Sequence, residues 1–375
     1  MVSIGLAAVT LLPMIVACSI ATVLLAVMTA LPISKSERWW VRLFDFPRLQ
    51  LAAFALALLI VEIALLDLSF ATVWVLVGIA SACLAWHIWW IAPYTRLVPV
   101  EVKDAPAGDD SSNAIRFLTS NVLGTNRQSA KLIDLVAECS PDVLVTLESN
   151  AWWQEQLEQL ETAYPYTVKC PLENLFGMHV YSRLPLSDSR IEYLVEDKIP
   201  SIHSCITLRS GRKVRAHFLH PTPPNPEFND ESSERDAELV MVAKHVAGQN
   251  EPTIVCGDLN DVAWSSTTRL FRKLSGLLDP RVGRGMFNTF HADWWFIRWP
   301  LDHLFHSKHF TLKEIRRLPS IGSDHFPLLT ALQFTPDYAP LQHGLNADEG
   351  DEARAEAKQS QQSVDARDVP EPGTH

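Results

Sequence analysis

The sequence predicts a layered α/β domain carried behind an α-helical transmembrane region. Three observations lead to this reading. The first 95 residues hold three long apolar segments. From about Ile115, short β-branched runs alternate with amphipathic helical stretches, the pattern of a layered α/β domain. The formal charge of −11 is also unevenly spread, at −2 over residues 1–112, −3 over 113–336 and −6 over 337–375. This charge is too low for a wholly disordered chain, and six scattered cysteines are too few for a disulfide scaffold. A middle segment so close to neutral disfavours a protein that grips nucleic acid without sequence preference, which needs excess Lys and Arg.

Residues 1–34 carry no charge, Leu49–Leu66 are apolar apart from Gln50 and Glu62, and residues 68–95 contain no Asp, Glu, Lys or Arg. A spanning helix needs roughly 20 mostly apolar residues. Residues 1–95 are therefore read as a transmembrane region with helices at about 6–31, 50–66 and 70–92. The first segment lacks the basic start of a cleaved signal peptide, and two further apolar segments follow it. Trp39, Trp40, Trp86, Trp89, Trp90 and Tyr94 fall near helix ends, where amphipathic rings favour the interface, and His87 is read as interfacial too. Glu62 is read as turned toward a neighbouring helix. Lys35, Arg38, Arg42 and Arg48 in the first loop favour the cytoplasm under the positive-inside rule, which with three spans places the following domain there as well. An interfacial helix in that loop leaves the side open.

Residues 96–113 read as a linker and 114–336 as one domain. Residues 337–375, with Asp348, Glu349, Asp351 and Glu352 and no apolar periodicity, read as an acidic disordered tail. Within 114–336, apolar strand-like runs repeatedly end in one polar residue suited to binding metal or moving protons. The run from Ile115 ends at Asn121, and that from Asp142 ends at Glu148. The run from Lys213 ends at His220, and that from Thr253 ends at Asp258, with Asn260 two residues on. Pro300 and Leu301 lead to Asp302, and Gly322 and Ser323 lead to Asp324 and His325. One such ending is an ordinary turn or cap. Six in order point to a site assembled from strand ends on one edge of a sheet sandwich.

Ser120-Asn121, Leu147-Glu148, His220-Pro221, Gly257-Asp258-Leu259-Asn260-Asp261, Leu301-Asp302-His303 and Ser323-Asp324-His325-Phe326 resemble the ordered motifs of the endonuclease/exonuclease/phosphatase superfamily. The likeness covers about residues 114–336, and the three-span front end resembles bacterial membrane-anchored members. The resemblance implies a four-layer α/β/β/α sandwich and metal-dependent hydrolysis of a phosphoester in DNA, RNA, a phospholipid or an inositol phosphate. It also implies a multi-pass protein of the bacterial inner membrane, with the lipid bilayer as a partner; no protein partner is indicated.

The same resemblance implies the roles. Glu148 holds Mg²⁺ or Mn²⁺, cations that prefer oxygen ligands. Asn121 lies beside it as ligand or orienter, and Asp324 completes the metal side. His325 is general base or electrostatic stabiliser, with Asp302 on its other ring nitrogen. Asp258 activates or positions the attacking water, and Asn260 donates to the phosphate. His220 matches the histidine of deoxyribonuclease-like members. Leu123 stands where several abasic-site endonucleases carry a second carboxylate, which argues against two tightly held metals.

Other residues carry competing readings. Arg281 and Arg284 are either phosphate contacts or solvated loop residues. Trp294, Trp295, Phe296 and Trp299 stack bases, enter a membrane surface or pack on the preceding helix. Asp261 is a turn cap or a site residue, Trp264 and Cys256 read as core, and His217 reads as facing outward from its strand. A catalytically silent binding module on the same fold is the alternative function, and the full set of polar strand ends speaks against it.

Overall fold

In the computed structural model, the described residues are 2–108, 110–225, 229–247 and 249–373, with side chains of the first helix described from residue 12 onward. The chain divides into two units, Met1–Pro93 and Tyr94–His375.

The first unit contains α1 (Val2–Ala30), α2 (Trp39–Arg42), α3 (Arg48–Leu65) and α4 (Ala71–Ile91). Three stretches, Leu12–Ser34, Arg48–Leu65 and Ala71–Tyr94, are long and apolar enough to cross a membrane. Ala55 and Ala80 are fully buried where the helices meet, whereas Leu12, Ile60 and Trp74 face outward. Small residues inside and large apolar ones outside suit helices packed in lipid. Glu62 is buried and accepts a 2.7 Å hydrogen bond from Thr22 Oγ1 on α1, so it does turn toward a neighbouring helix. His87 differs from its interfacial reading. It is buried and shares a 3.0 Å hydrogen bond with Thr29 Oγ1, because an imidazole on the inner face of α4 needs a polar partner.

The second unit contains eleven strands among its described residues. In chain order the elements are β1 (Ala114–Asn121), α5 (Ser129–Cys139), β2 (Val143–Leu147), α6 (Ala151–Leu157), β3 (Tyr166–Cys170) and β4 (Met178–Ser182). There follow β5 (Leu186–Glu192), β6 (Ser201–Thr207), β7 (Lys213–Leu219), α7 (Ser233–Ala247), β8 (Thr253–Asp258) and α8 (Ser266–Ser275). The last are β9 (Asp302–His306), β10 (Phe310–Arg317), β11 (Leu328–Phe334) and α9 (Glu349–Gln362). One sheet has the order β10-β11-β1-β2-β4-β3, the other β5-β6-β7-β8-β9.

The layers follow from side-chain alternation. Ile115 and Phe117 of β1 meet Ile202, Phe218 and Ile254 of the second sheet in a core between the sheets. Leu118 points the other way, onto α5, whose Leu132, Leu135, Val136 and Cys139 form one buried stripe at helical spacing. On the far side, Leu239, Val242 and Val246 of α7 and Leu270 and Leu274 of α8 cover the second sheet. The result is the expected four-layer α/β/β/α sandwich.

Two parallel joints place the site. β1 and β2 run parallel, so Asn121 and Leu147 end side by side. β7 and β8 do the same, with Leu219 opposite Gly257. β9 is antiparallel to β8 and begins at Asp302, directly opposite Asp258. β11 is antiparallel to β1, so the segment leading into Leu328 starts at that same edge, opposite Thr119.

Two segments differ from their sequence reading. Residues 96–113 are part of the domain and not a free linker. Val102 is fully buried, Leu312 of β10 exchanges backbone hydrogen bonds with Lys103 and Ala105, and Glu101 accepts from Arg272 at 2.5 Å. The stretch reads as polar because its charges are matched by partners distant in sequence. The acidic stretch, read as disordered over 337–375, is folded over its described residues 337–373, and α9 docks on the domain. Ala355 and Val369 are buried, Lys358 pairs with Asp236 at 2.8 Å, and Asp351 accepts from Lys273 at 2.5 Å. One buried alanine and a few ion pairs leave no hydrophobic periodicity to read. The substitution Ala355→Asp, which buries an unpaired charge, is expected to cost about 2 kcal/mol or more and to detach α9. Limited trypsin digestion checks this. Tail protection equal to that of the parent chain would overturn the docking.

Candidate active site

Left-handed backbone shapes the strand ends. Glu148, just past β2, has φ 58°, and Asn260, two residues past β8, has φ 51°. A non-glycine residue there costs about 1 kcal/mol and persists where the surrounding structure imposes it. Gly257 at φ 148° has no alternative, since a Cβ would lie 1.9 Å from the carbonyl oxygen of Leu219. Only glycine lets β7 and β8 approach this closely while presenting Asp258 at the edge.

The edge gathers the expected residues. Asn121 Nδ2 donates to Glu148 Oε1 at 2.8 Å and to Asp258 Oδ2 at 3.2 Å, and its Oδ1 accepts from Leu123 N. Asn121 thus links the two carboxylates through its amide nitrogen. His325 Nδ1 donates to Asp302 Oδ2 at 2.8 Å, and Nε2 lies 3.5 Å from Asp258 Oδ2. His220 Nε2 lies 3.9 Å from the same oxygen, its ring tilted against Phe176. Asp324 is half-buried, and its Oδ1 accepts from Ser323 Oγ. Asn260 differs from its expected pose. Its Nδ2 donates to Pro221 O at 2.9 Å, and its backbone N–H donates to Asp258 Oδ1.

The electrostatics follow from four carboxylates around one imidazole. Burial would lower the pKa of His325, yet the charges of Asp302 and Asp258 and the Asp302 hydrogen bond outweigh it and hold the ring at about 10. Burial pushes Glu148 up to about 7 against its Asn121 bond, with Asp324 and Asp258 adding repulsion. Burial likewise raises Asp258, and it lowers His220 to about 4, so His220 is neutral near pH 7. Glu148 Oε2 is buried without a hydrogen-bond partner, the signature of an oxygen that lacks a cation. Asp258, Asp302 and His325 also stand close enough to share an ion.

Several residues support the site, and of these Thr289 and Arg235 carry no local sequence signal. Thr289 Oγ1 accepts from the backbone N–H groups of Leu301 and Asp302. Ser323 Oγ accepts from His325 N, and Arg235 donates to Asn260 O at 2.8 Å. Arg281 departs from both of its readings. It is buried, holds Asp279 through two nitrogens, and donates to Asp302 O and His303 Nδ1. Arg284 is committed to Val102 O and Asp104. His217 is also corrected. It is buried, with Nδ1 2.7 Å from His203 Nδ1, because α7 covers the face read as exposed. Asp261 caps its turn by accepting from Val262 N and Ser265 Oγ, and Trp264 and Cys256 are core residues. In the loop before β9, Trp294, Trp295 and Phe296 are exposed, and Trp299 stacks on Phe290, whose ring lies 5.0 Å from that of His325.

This sandwich, with a carboxylate-imidazole cluster where strands of both sheets end, defines a class of phosphoesterase-type folds. The chain belongs to the endonuclease/exonuclease/phosphatase family, whose model matches residues 118–325. Among solved structures it is similar to an endonuclease/exonuclease/phosphatase from Beutenbergia cavernae, at 17% identity over 60% of this chain and 72% of that one, TM-score 0.49. It is also similar to humanized D. rerio TDP2 carrying 14 mutations, at 16% identity over 59% of this chain and all of that one, TM-score 0.48. The human Nocturnin catalytic domain with bound sulfate matches at 17% identity over 60% and 97%, TM-score 0.47. No curated protein matches the chain at a significant level.

Proposed function

We propose that the chain is a membrane-anchored, divalent-metal-dependent hydrolase of phosphoester bonds. The observation that carries this reading is the convergence of Asn121, Glu148, Asp258, Asp302 and His325 at one strand-end edge, with an orphaned carboxylate oxygen on Glu148. Residues 1–95 would be the anchor, and the unit from Tyr94 onward the enzyme.

Glu148 would hold the cation, Mg²⁺ or Mn²⁺, with Asp324 completing its oxygen side and Asn121 fixing the carboxylate. When bound, the cation supplies Lewis-acid charge to a phosphoryl oxygen and to the leaving group. Asp258 positions the attacking water and takes its proton as the new P–O bond forms and the ester P–O bond breaks. His325, kept protonated by Asp302, donates from Nε2 to a phosphoryl oxygen as charge builds there, so of its two expected roles the stabiliser fits. Neutral His220 donates a second hydrogen bond, and Asn260 fixes the Asp258 turn and keeps a second amide hydrogen for the phosphate.

The substrate is a phosphoester of nucleic acid or of a phospholipid or inositol phosphate. The exposed Trp294, Trp295 and Phe296 beside the site, in a chain with three membrane-competent helices, favour one presented at a lipid surface. The test uses the full chain in detergent with bis(4-nitrophenyl) phosphate, plasmid DNA, RNA and short-chain phospholipids. Chelation is expected to abolish turnover and Mg²⁺ or Mn²⁺ to restore it. Glu148→Gln should raise the metal concentration for half-maximal rate about tenfold or more. Full activity after chelation removes the metal role, and no turnover on any substrate favours the silent module.

A further inference from the structure

Arg298 and Arg317 are two cations next to the site that the catalytic reading leaves unused. Arg298 lies in the loop before β9 and donates from Nη2 to Ala292 O at 3.2 Å. Arg317 ends β10 and donates from Nη1 to Asn288 O at 3.0 Å. Both guanidinium carbons lie over the ring of Phe326, at 5.1 and 4.3 Å from its centroid, and Phe326 is the residue after His325. The loop carrying Arg298 is tied to the same segment, since Ala292 N donates to Asp324 O and Phe326 N donates to Thr289 O.

The two side chains are half-buried, and among the described residues neither has a carboxylate within ion-pair distance. Arg298 Nε is buried without a hydrogen-bond partner. The fully buried arginines of the domain are instead each ion-paired. Arg215, Arg235, Arg272 and Arg281 each sit against Glu251, Asp236, Glu101 and Asp279 respectively. Two like charges gathered on one ring are unfavourable alone, and burial together with the Arg298 charge depresses the Arg317 pKa. An anion with several oxygens would relieve both, since a guanidinium fork matches phosphate geometry.

We propose that Arg298 and Arg317 form a subsite for a second phosphate of the substrate, next to the scissile one. The enzyme would then select small phosphoesters that carry an additional phosphate over those with a neutral or zwitterionic partner. This rests on the hydrolase reading above. A long nucleic acid is disfavoured as the source, because the domain has no cation excess to follow a backbone. The extra phosphate belongs to a small headgroup, free or lipid-borne.

The experiment compares matched substrates with the full chain in detergent. One pair is thymidine 5′-(4-nitrophenyl phosphate) with and without a 3′-phosphate. The other is short-chain phosphatidylinositol with and without a 4-phosphate. In at least one pair, kcat/KM is expected to favour the doubly phosphorylated member about tenfold or more, the free or lipid-borne source being named by which pair responds. The Arg298→Gln/Arg317→Gln variant should bring that ratio near one, with Arg317→Lys in between. A ratio near one in the parent chain, a ratio that survives the double variant, or equal losses on both members would overturn the subsite. So would an Arg-dependent preference that grows only with oligonucleotide length. If neither pair is hydrolysed, the hydrolase reading is decided by the substrate screen above, and calorimetry of inorganic pyrophosphate binding to chelator-treated protein decides the subsite. Binding lost in the double variant supports it, while absent or unchanged binding does not. Should the double variant not fold, Arg298→Gln alone serves in both measurements.

Discussion

Exchange of His325 for alanine is expected to lower turnover about a thousandfold, the loss of one positioned charge-stabilising group. Three features converge on this residue. Its Nδ1 is fixed by Asp302, its Nε2 faces Asp258, and its backbone N–H donates to Ser323 Oγ. Asp302 acts through the imidazole, so Asp302→Asn should lose less, and the double variant little more than His325→Ala alone. Stability should fall too, by about 3 kcal/mol, because Asp258 and Asp302 are both almost fully buried and would lose their shared cation. Steady-state kinetics on the substrate identified in the screen, with denaturation of the same variant, checks both effects. A variant retaining activity within about tenfold of the parent chain would remove His325 from the reaction.

The second large effect is acid destabilisation. His179, His203 and His303 are held at about 3, His306 at about 4 and His217 well below its ordinary value, with burial the main cause in each. The unfolded chain takes up these protons near pH 6.5, whereas the folded domain refuses them until far lower pH. Stability is therefore fully present above pH 6.5 and declines as pH falls toward 4. Between pH 6.5 and 5.5 each histidine withdraws about 1 kcal/mol, about 5 kcal/mol for the group. Glu238, raised by burial and by Glu196 to about 8, and Glu148 at about 7 work in the opposite direction. They return about 1 kcal/mol each, while His220, held at about 4, withdraws as much as each of the other histidines, so the balance is a loss of stability on acidification. Denaturant midpoints of the chelator-treated chain at the two pH values check this. A midpoint that stays level or rises on acidification would mean that these histidines are not held neutral.

Much of the site was legible because its chemistry ends apolar strands. Asn121, Glu148, His220 and Asp258 each follow a strand-like apolar run visible without a structure, Asp302 and His325 stand in short motifs ahead of the next strand, and the fold brings all six to one edge. The supporting residues were not legible. Thr289 serves Asp302 from the preceding loop, and Arg281 reaches both Asp302 and His303. Neither contact leaves a spacing rule behind. The arginines read as candidates for phosphate proved to be structural ion pairs, whereas Arg298 and Arg317, which share the Phe326 ring beside the site, sit in segments with no motif. Charge composition misled at both ends of the domain for one reason. Glu101 and Asp351 are acidic residues in polar stretches, and each is buried against a cation far away in the chain.

Local periodicity and strand-end chemistry were enough to define three apolar helices, an α/β domain and an ordered set of polar residues. Those properties are written in neighbouring residues, so they survive without coordinates. Which partner each charge meets was decided only by the tertiary structure. An ion pair depends on geometry across tens or hundreds of residues, and a solvated charge and a buried, matched one are the same letter in the sequence.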